Sequence, residues 1–425
     1  MTARAGARRI PLPIPDAEHV LAVDAEDAAA VRPHVLRRAW VSVDTAALGH
    51  NLRVLAALAG PEARVAAVIK ADAYGHGLVP AARAFLGAGA AMVCVATADE
   101  ALALRAAGIA TPILLLYPPP AAALADLVAL GITITVSSEE GARELLELAG
   151  RAGSREPRSV SPIVVHLEIE TGLTRMGVPP ERCGPIAAAL AGTLGVRIDA
   201  AWSHLACPED AAVTAAQDAA LARAIERMEQ HGVRVPSRHL AASGGLLAGT
   251  AASHQLVRPG LALYGVIPDD LPIPDDRRAA AASLRPAMSL HARPVRLLDV
   301  EPGTAVSYGG RWVAHRPSRI MTLPVGYGDG YARGTGPGAE VLVGGRRAPI
   351  VGSIAMDALM VDVTDIEGVG PDADVVLLGA QGGERIDALE LARRRTTITW
   401  EVLTAMARRI PRVYHASAGT VPSGS

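Results

Sequence analysis

Eight short apolar runs recur between residues 65 and 260, and most of them are followed by an amphipathic stretch rich in alanine and leucine. The runs are VAAVIK, AMVCVA, PILLLY, ITITV, PIVVHLEIE, IDAAWSH, RHLAAS and QLVRPG. Strands that alternate with helices predict parallel α/β architecture, and eight such units over roughly 250 residues fit a (β/α)8 TIM barrel. The alternative is an open doubly wound sheet, but the Gly-x-Gly-x-x-Gly turn expected after its first strand is missing.

A second domain begins near Leu284, where helical periodicity gives way to strand-like alternation. The runs AEVLVGG and APIVGSIAMDALMVDV meet at Gly344 and Gly345, which predict a hairpin turn. Two short helices are expected before Pro411. We therefore predict an N-terminal extension at residues 1–37, a TIM barrel at 38–283 and a mostly β domain at 284–425.

The charge and cysteine pattern excludes several classes of protein. A formal net charge of −2 argues against a nucleic acid or a membrane surface as the main partner. The three cysteines, Cys94, Cys183 and Cys207, show no CxxC spacing, and the extension lacks the apolar centre of a secretory signal. We expect a reduced, cytoplasmic protein that acts on a small molecule, and we assign no metal site.

Lys70 is the only lysine among the 41 lysine and arginine residues of the chain. A bias toward arginine that strong should have removed every lysine that serves only as a cation. A lysine amine can lose its proton and attack a carbonyl, whereas an arginine keeps its proton, so we predict covalent chemistry at Lys70. His204, Ser243 and Arg258 also lie at the ends of apolar runs, and a barrel would bring all four to one mouth.

The segment AVIKADAYGHG resembles the pyridoxal-phosphate lysine motif of the alanine racemase family, whose members are fold-type III pyridoxal-phosphate enzymes. The resemblance continues in the family's order through TGLTRMG, SHLACPED, HLAAS, VRPGLALYG, AVSYGGRW, PVGYGDGYAR, VGSIAMDALMVDV and RIPRVY. It covers nearly the whole chain after Arg38. It implies a homodimer with shared active sites that binds pyridoxal 5'-phosphate and interconverts L- and D-alanine, supplying D-alanine for cell-wall precursors.

The resemblance also implies a role for each matching residue. Lys70 would hold the cofactor covalently and then act as a base on one face of the substrate Cα. Tyr308 matches the base on the other face, which comes from the second subunit. Arg258 matches the arginine that faces the pyridine nitrogen and keeps it unprotonated. The other expected cofactor-binding residues are Tyr74, His204, Ser243, Gly260, Leu261 and Trp400.

The substrate is expected to meet a second set of residues. Arg175 matches the arginine that contacts the substrate carboxylate, a task that suits a planar guanidinium. Tyr327, Met356 and Asp357 match the substrate-binding and entry segment, which also crosses the dimer. His204 matches the histidine that hydrogen-bonds the catalytic tyrosine.

Four positions depart from the family pattern. Glu168 stands where the family has a lysine that is often carbamylated, and the substitution keeps the negative sign. Ala242 replaces a usual asparagine, Trp400 replaces a usual tyrosine, and Ala355 replaces a frequent cysteine.

Other activities remain open at this point. A racemase could act on another or a broader range of amino acids. A fold-type III decarboxylase would carry a cysteine-and-aspartate signature where this chain has Ala355, Met356 and Asp357. A non-catalytic pyridoxal-phosphate-binding protein would lack the second domain and Tyr308.

Overall fold

The computed structural model describes residues 21–22, 37–153, 162–336 and 338–416, so most of the predicted extension lies outside the described residues. Within these ranges, two strands precede the barrel, β1 (Leu21–Ala22) and β2 (Ala39–Asp44). The carboxylate of Asp44 accepts hydrogen bonds from the amides of Ala46 and Ala47, which starts the first helix, α1 (Thr45–Ala59).

Among the described residues, eight parallel strands form a nearly closed barrel in the order β10-β3-β4-β5-β6-β7-β8-β9. A parallel bridge between Ala242 and Arg258 joins the two ends of this sheet. Each strand overlaps one of the eight apolar runs, and the predicted TIM barrel is confirmed. The strands are β3 (Arg64–Val68), β4 (Met92–Val95), β5 (Ile113–Leu115), β6 (Ile132–Val136), β7 (Ile163–Glu168), β8 (Val196–Trp202), β9 (Ser237–His239) and β10 (Leu256–Val257).

Helices alternate with these strands and bury one face against them. In α1, Leu48, Leu52 and Leu55 are buried at spacings of four and three residues, the period of one helix face. The others are α2 (Lys70–Tyr74), which is a single left-handed turn, α3 (Leu78–Gly87), α4 (Ala98–Ala106), α5 (Ala121–Ala129), α6 (Glu139–Gly153), α7 (Cys183–Ala191), α8 (Ala211–Gln230) and α9 (Ser243–Ala248), followed by a 3-10 turn at Leu261–Tyr264.

The second domain is mostly β, as predicted. Gly344 and Gly345 have φ values of 58° and 75° and form the expected two-residue hairpin between the strands Glu340–Val343 and Arg346–Val351. After the helix α10 (Asp275–Ser283), which packs against α1 and α9 of the barrel, the elements are β11 (Met288–Ala292), β12 (Arg296–Val300), β13 (Ala305–Val306), β14 (Trp312–Val313), β15 (Ser318–Leu323), β16 (Glu340–Val343), β17 (Arg346–Val351), β18 (Leu359–Asp362), β19 (Val375–Gln381), β20 (Glu384–Ile386), α11 (Ala388–Arg395), α12 (Thr399–Thr404) and β21 (Arg412–His415). Three 3-10 turns lie at Tyr308–Gly310, Tyr327–Asp329 and Arg333–Thr335.

The second sheet is built from both ends of the described chain. Its order is β1-β21-β2-β11-β19-β16-β17-β18-β15-β12, with β20 beside β19. β2 pairs parallel with β21 and antiparallel with β11. The range predicted for the barrel, 38–283, therefore includes a strand whose hydrogen bonds lie in the other sheet. Within the described ranges, no helix is both long and apolar enough to cross a membrane.

Candidate active site

A cavity of about 300 Å³ opens at the C-terminal ends of the barrel strands, which is the end where barrel enzymes carry their reactive groups. Its volume is at the lower end of the usual range for small-molecule sites. Nine residues predicted from the sequence line it, and they come from distant parts of the chain: Lys70, Tyr74, Arg175, His204, Ser243, Arg258, Gly260, Leu261 and Trp400.

The backbone after Lys70 forms a left-handed turn. Residues 71–74 have φ values of 53° to 55°, and none of them is glycine. Each left-handed residue of this kind costs about 1–2 kcal/mol, so the surrounding structure must hold the turn. Glu100 accepts a hydrogen bond from the amide of Ala71 at 2.6 Å, and Asp72 accepts one from the amide of Leu78 at 2.8 Å. The same Glu100 side chain caps α4, so one carboxylate fixes both segments.

The C-terminal domain holds the next part of this turn. The carbonyl oxygen of Gly75 accepts hydrogen bonds from Arg412 at 3.1 and 3.2 Å, and that of His76 accepts one from the Tyr414 hydroxyl at 3.0 Å. At Gly77, where φ is 99°, an added Cβ would overlap the Tyr414 hydroxyl. The position of Lys70 therefore depends on β21, more than 300 residues away in sequence.

The Lys70 amine is set up for nucleophilic chemistry. Burial lowers the pKa of Lys70, and the nearby guanidinium of Arg175 lowers it further, whereas Glu100 raises it. A lowered pKa increases the fraction of neutral amine, the form that attacks a carbonyl. The structure thus gives Lys70 the property that its singular occurrence in the sequence suggested.

A cradle suited to phosphate lies on one wall of the cavity. The Ser243 hydroxyl oxygen accepts hydrogen bonds from the amides of Gly260 at 2.9 Å and Ala262 at 3.2 Å. A Cβ at Gly260 would lie 2.5 Å from the hydroxyl oxygen of Tyr74, so this close approach requires glycine. Burial raises the pKa of Tyr74, which keeps its hydroxyl a donor. Small residues and hydroxyl and amide donors in one place fit a phosphate group.

Arg258 supplies a buried cation. Its guanidinium donates to Nδ1 of His239 and to the carbonyl oxygen of Ser203 at 2.6 Å, and it lies 4.6 Å from the ring centre of Trp202. Since His239 accepts at Nδ1, its Nε2 carries the hydrogen that bonds Nδ1 of His166 at 3.1 Å. Burial lowers the pKa of Arg258 to about 10, which leaves it protonated at neutral pH. Because both histidines are buried with lowered pKa values, neutral imidazoles support this charge.

Arg175 lies near an aromatic ring, and its charge acts on a buried carboxyl group. Its guanidinium is 5.6 Å from the ring centre of Tyr117, which also lines the cavity. Glu168, at the end of β7, is buried, and its Oε2 has no hydrogen-bond partner among the described residues. Burial raises the pKa of Glu168 to about 7, although Arg175 and Arg258 oppose this shift. The carboxyl group at this position is therefore only partly ionised at neutral pH.

His204 and Tyr117 also line the cavity. Burial, together with the charges of Arg258 and Arg175, lowers the pKa of His204 to about 3, so its imidazole is neutral. Tyr117 was not predicted from the sequence, although it ends the run PILLLY just as Lys70 ends VAAVIK. The departures Ala242 and Trp400 both line the same cavity.

The remaining four predicted residues lie elsewhere, on the C-terminal domain. We call Tyr308, Tyr327, Met356 and Asp357 the exposed tyrosine surface, because Tyr308 is 71% exposed, Met356 52% and Tyr327 39%. None of the four lines the cavity.

Hydrogen bonds hold this surface together. The amide of Tyr327 donates to the carbonyl oxygen of Ala355 at 3.1 Å. Arg409 bridges the carboxylates of Asp329 and Asp357, both at 2.6 Å. Asp329 is fully buried, so the turn that carries Tyr327 is firmly attached to the segment that carries Asp357.

Comparison with known sequences identifies both parts of the chain. The family described as "Alanine racemase, N-terminal domain" matches residues 43–268, and "Alanine racemase, C-terminal domain" matches residues 287–414. The alanine racemase of Desulfovibrio desulfuricans is 39% identical over 382 residues, which covers 89% of this chain and 98% of the relative. The alanine racemase of Thermobifida fusca is 39% identical over 378 residues, which covers 88% of this chain and 96% of the relative.

Solved structures of alanine racemases are also similar to this chain. The alanine racemase from Streptomyces coelicolor A3(2) has a TM-score of 0.79 at 34% identity, covering 90% of this chain and 99% of that one. The alanine racemase from Bacillus anthracis with bound L-Ala-P has a TM-score of 0.80 at 30% identity, and the match covers 91% of this chain and 97% of that one.

Proposed function

The chain belongs to the alanine racemase family, and we propose that Lys70 and Tyr308 act on opposite faces of the substrate Cα to interconvert L- and D-alanine. Membership makes the protein a pyridoxal-phosphate-dependent isomerase. Both halves of the chain match the family, which favours a racemase over a decarboxylase or a non-catalytic carrier. The observation that carries the residue assignment is the convergence of Lys70, Arg175 and Arg258 on one cavity.

The residues around the cavity fit pyridoxal phosphate. Lys70 would hold it covalently, Ser243 and Tyr74 would contact its phosphate beside Gly260 and Leu261, and Trp400 would pack at the same end. When bound, the cofactor withdraws electron density from the substrate Cα and so makes its hydrogen acidic. The permanent charge of Arg258 would keep a facing ring nitrogen unprotonated.

The chain's own groups would then bind the substrate, take one proton from Cα and return another proton to its opposite face. Arg175 offers two parallel N–H groups to the substrate carboxylate. Racemisation requires a proton acceptor on one face of Cα and a donor on the other, and Lys70 and Tyr308 would exchange these roles with the direction of the reaction. His204, a neutral imidazole, would hydrogen-bond the tyrosine hydroxyl.

We infer that the active protein is a homodimer. Tyr308 is exposed and lies outside the cavity of its own chain, so a second copy is the natural source of the second base. The exposed tyrosine surface of one protomer would cover the cavity of the other, where Tyr327 and Met356 would limit the room beyond Cβ and favour alanine. A cytoplasmic location is part of the proposal, supported by three cysteines that form no disulfide.

A single exchange experiment tests this function. The purified protein is incubated with one L-amino acid at a time in deuterium oxide, and deuterium at Cα and the chirality of the product are followed. L-Alanine should gain deuterium and yield D-alanine, and Tyr308→Phe should lose most of this conversion. Absence of exchange with every amino acid, or release of carbon dioxide in its place, would contradict the proposal.

The role of Lys70 has a separate chemical test. Because Lys70 is the only side-chain amine, borohydride reduction of the loaded protein should fix the pyridoxyl group on one peptide. Lys70→Arg should lose both this label and racemisation. Label found only on the N-terminal amine would overturn the assignment.

A further inference from the structure

We propose that Gln217, a buried residue on α8, is a positioning residue that sets the loop carrying Arg175 against the loop carrying His204 at the mouth of the cavity. The inference rests on the proposed function, because it takes Arg175 as the ligand of the substrate carboxylate. Gln217 does not line the cavity and would act only through the residues it holds.

The side-chain amide of Gln217 joins two barrel loops. Its Nε2 donates one hydrogen bond to the hydroxyl of Thr171 and one to the carbonyl oxygen of His204, both at 3.1 Å. Its Oε1 accepts a hydrogen bond from the amide of Ala206 at 2.9 Å. The side chain is 3% exposed, and both of its donor hydrogens and its acceptor are used. No other uncharged side chain of this length offers two donors and one acceptor in this geometry.

The Thr171 end of the bridge leads to Arg175. Thr171 lies four residues before Arg175 in the loop after β7. This loop is compact, because the Glu170 carboxylate accepts a hydrogen bond from the amide of Thr174 at 2.9 Å. At Gly177, where φ is 122°, a Cβ would lie 2.4 Å from the amide nitrogen of Glu170. A shift of Thr171 would therefore carry Arg175 with it.

The same bridge reaches the buried cation. The hydroxyls of Thr171 and Ser203 lie 2.6 Å apart, and the carbonyl oxygen of Ser203 accepts a hydrogen bond from Arg258. Gln217 thus joins a continuous network that includes the backbone of His204 and the side chain of Arg258. Bidentate binding of a carboxylate tolerates little displacement, so loss of the bridge should weaken substrate binding more than the chemical step.

The test replaces Gln217 with methionine, which has a similar length and cannot make these hydrogen bonds. Thr214→Val is the matched control, since Thr214 is also buried on α8 but its hydroxyl bonds, within the described part of the chain, only the carbonyl oxygen of Cys207. We measure kcat and KM for L-alanine and the binding of propionate, a carboxylate without an amine, to the loaded enzyme. Gln217→Met should raise KM and the propionate Kd about tenfold with a smaller change in kcat. Thr214→Val should change neither constant.

A second pair of variants separates positioning from general loss of stability. Thr171→Val breaks the bridge at its other end. Because both substitutions remove the same bridge, the double variant with Gln217→Met should have a propionate Kd no higher than that of the single variant that binds propionate more weakly. Additive losses, or a lower Tm with unchanged propionate binding, would overturn the inference.

Arg175→Met distinguishes this inference from the function on which it rests. If Arg175→Met binds propionate normally, the proposed role of Arg175 fails and the inference falls with it. If Arg175→Met loses binding but Gln217→Met does not, only the inference is wrong. Visible absorbance of the bound cofactor normalises each measurement to loaded protein.

Discussion

Ser353 donates a hydrogen bond from its hydroxyl to the carbonyl oxygen of Tyr308, across an oxygen–oxygen distance of 3.1 Å. The Ser307 hydroxyl in turn donates to the carbonyl oxygen of Ser353 at 2.6 Å. The backbone of Tyr308 is therefore fixed while its ring is 71% exposed. A fixed backbone with an exposed ring suits a residue that is presented to another molecule.

Tyr308 is expected to act in trans. Lys70→Ala and Tyr308→Phe should each be inactive, but in a mixed dimer one of the two composite sites has both bases intact. An equimolar mixture after subunit exchange should therefore recover about a quarter of wild-type activity, since about half of the dimers are mixed. The rate of D-alanine formation measures this recovery. No recovery after verified exchange would indicate a site built within one chain.

The charge of Glu168 should control activity near neutral pH. Because burial raises the pKa of Glu168 to about 7, the carboxyl group is largely neutral at pH 6 and largely ionised at pH 8. Glu168→Gln should match the wild type at pH 6 and have roughly tenfold lower kcat/KM at pH 8, equivalent to about 1.4 kcal/mol. Bicarbonate should have no effect, since no lysine is present there to carbamylate. A pH-independent ratio, or activation by bicarbonate, would count against this role.

The raised pKa of Glu168 predicts that ionisation of this carboxyl group lowers the stability of the protein, although it supports activity. A carboxyl group with a raised pKa holds its proton more tightly in the folded state, so its favourable contribution is complete below about pH 4.5 and is lost as the pH rises through 7. Glu168→Gln removes this loss and should be more stable than the wild type at pH 8 by at most about 3 kcal/mol. Urea unfolding at pH 5 and pH 8 measures the difference. An equal difference at both pH values would contradict the prediction.

Gly77 should tolerate no side chain. Gly77→Ala would force an L-residue into φ 99° and overlap the Tyr414 hydroxyl, so it should lower the free energy of unfolding by at least about 1–2 kcal/mol and reduce cofactor content. Gly87→Ala is the control, because no atom of the described residues lies within 4 Å of an added Cβ there. In a Tyr414→Phe background the cost of Gly77→Ala should fall. An unchanged cost in that background would show that the hydroxyl is not the obstacle.

Local sequence patterns predicted the barrel because most of its strands are apolar runs that are buried on both faces, as in β4, β5 and β6. They could not place Ala39–Asp44 in the second sheet, since its partners Met288–Ala292 and Arg412–His415 lie some 250 and 370 residues away. They also missed the left-handed turn at 71–74, because its residues carry no glycine signal and are held by distant side chains.

Local sequence patterns also predicted only part of the candidate site. Lys70 was conspicuous because it is unique, and seven of the other eight predicted cavity residues lie in motifs that match the family, whereas Trp400 departs from it. Gln217 carries no such signal, since a glutamine on an alanine-rich helix is typical of an exposed face. Only its three hydrogen bonds in the fold distinguish it.

The departures Ala242 and Trp400 should affect cofactor retention and not substrate choice. Both line the cavity, and Ala242 directly precedes Ser243, whose hydroxyl forms part of the phosphate cradle. Ala242→Asn with Trp400→Tyr should therefore tighten pyridoxal-phosphate binding, measured by titration of the unloaded protein, because an amide and a phenol add hydrogen-bonding groups there.

Substrate choice should depend instead on Tyr327 and Met356, which lie on the exposed tyrosine surface. If these side chains close over Cβ across the dimer, alanine should be preferred and serine tolerated, and Met356→Ala should raise the kcat/KM of serine relative to alanine. One methylene usually changes transition-state binding by only about 1–3 kcal/mol, so tight steric closure is needed to reject larger amino acids. The double variant at Ala242 and Trp400 is the matched control and should leave the alanine-to-serine ratio unchanged. Turnover of lysine, arginine or leucine at a rate comparable to alanine would overturn the preference for alanine while leaving racemisation in place.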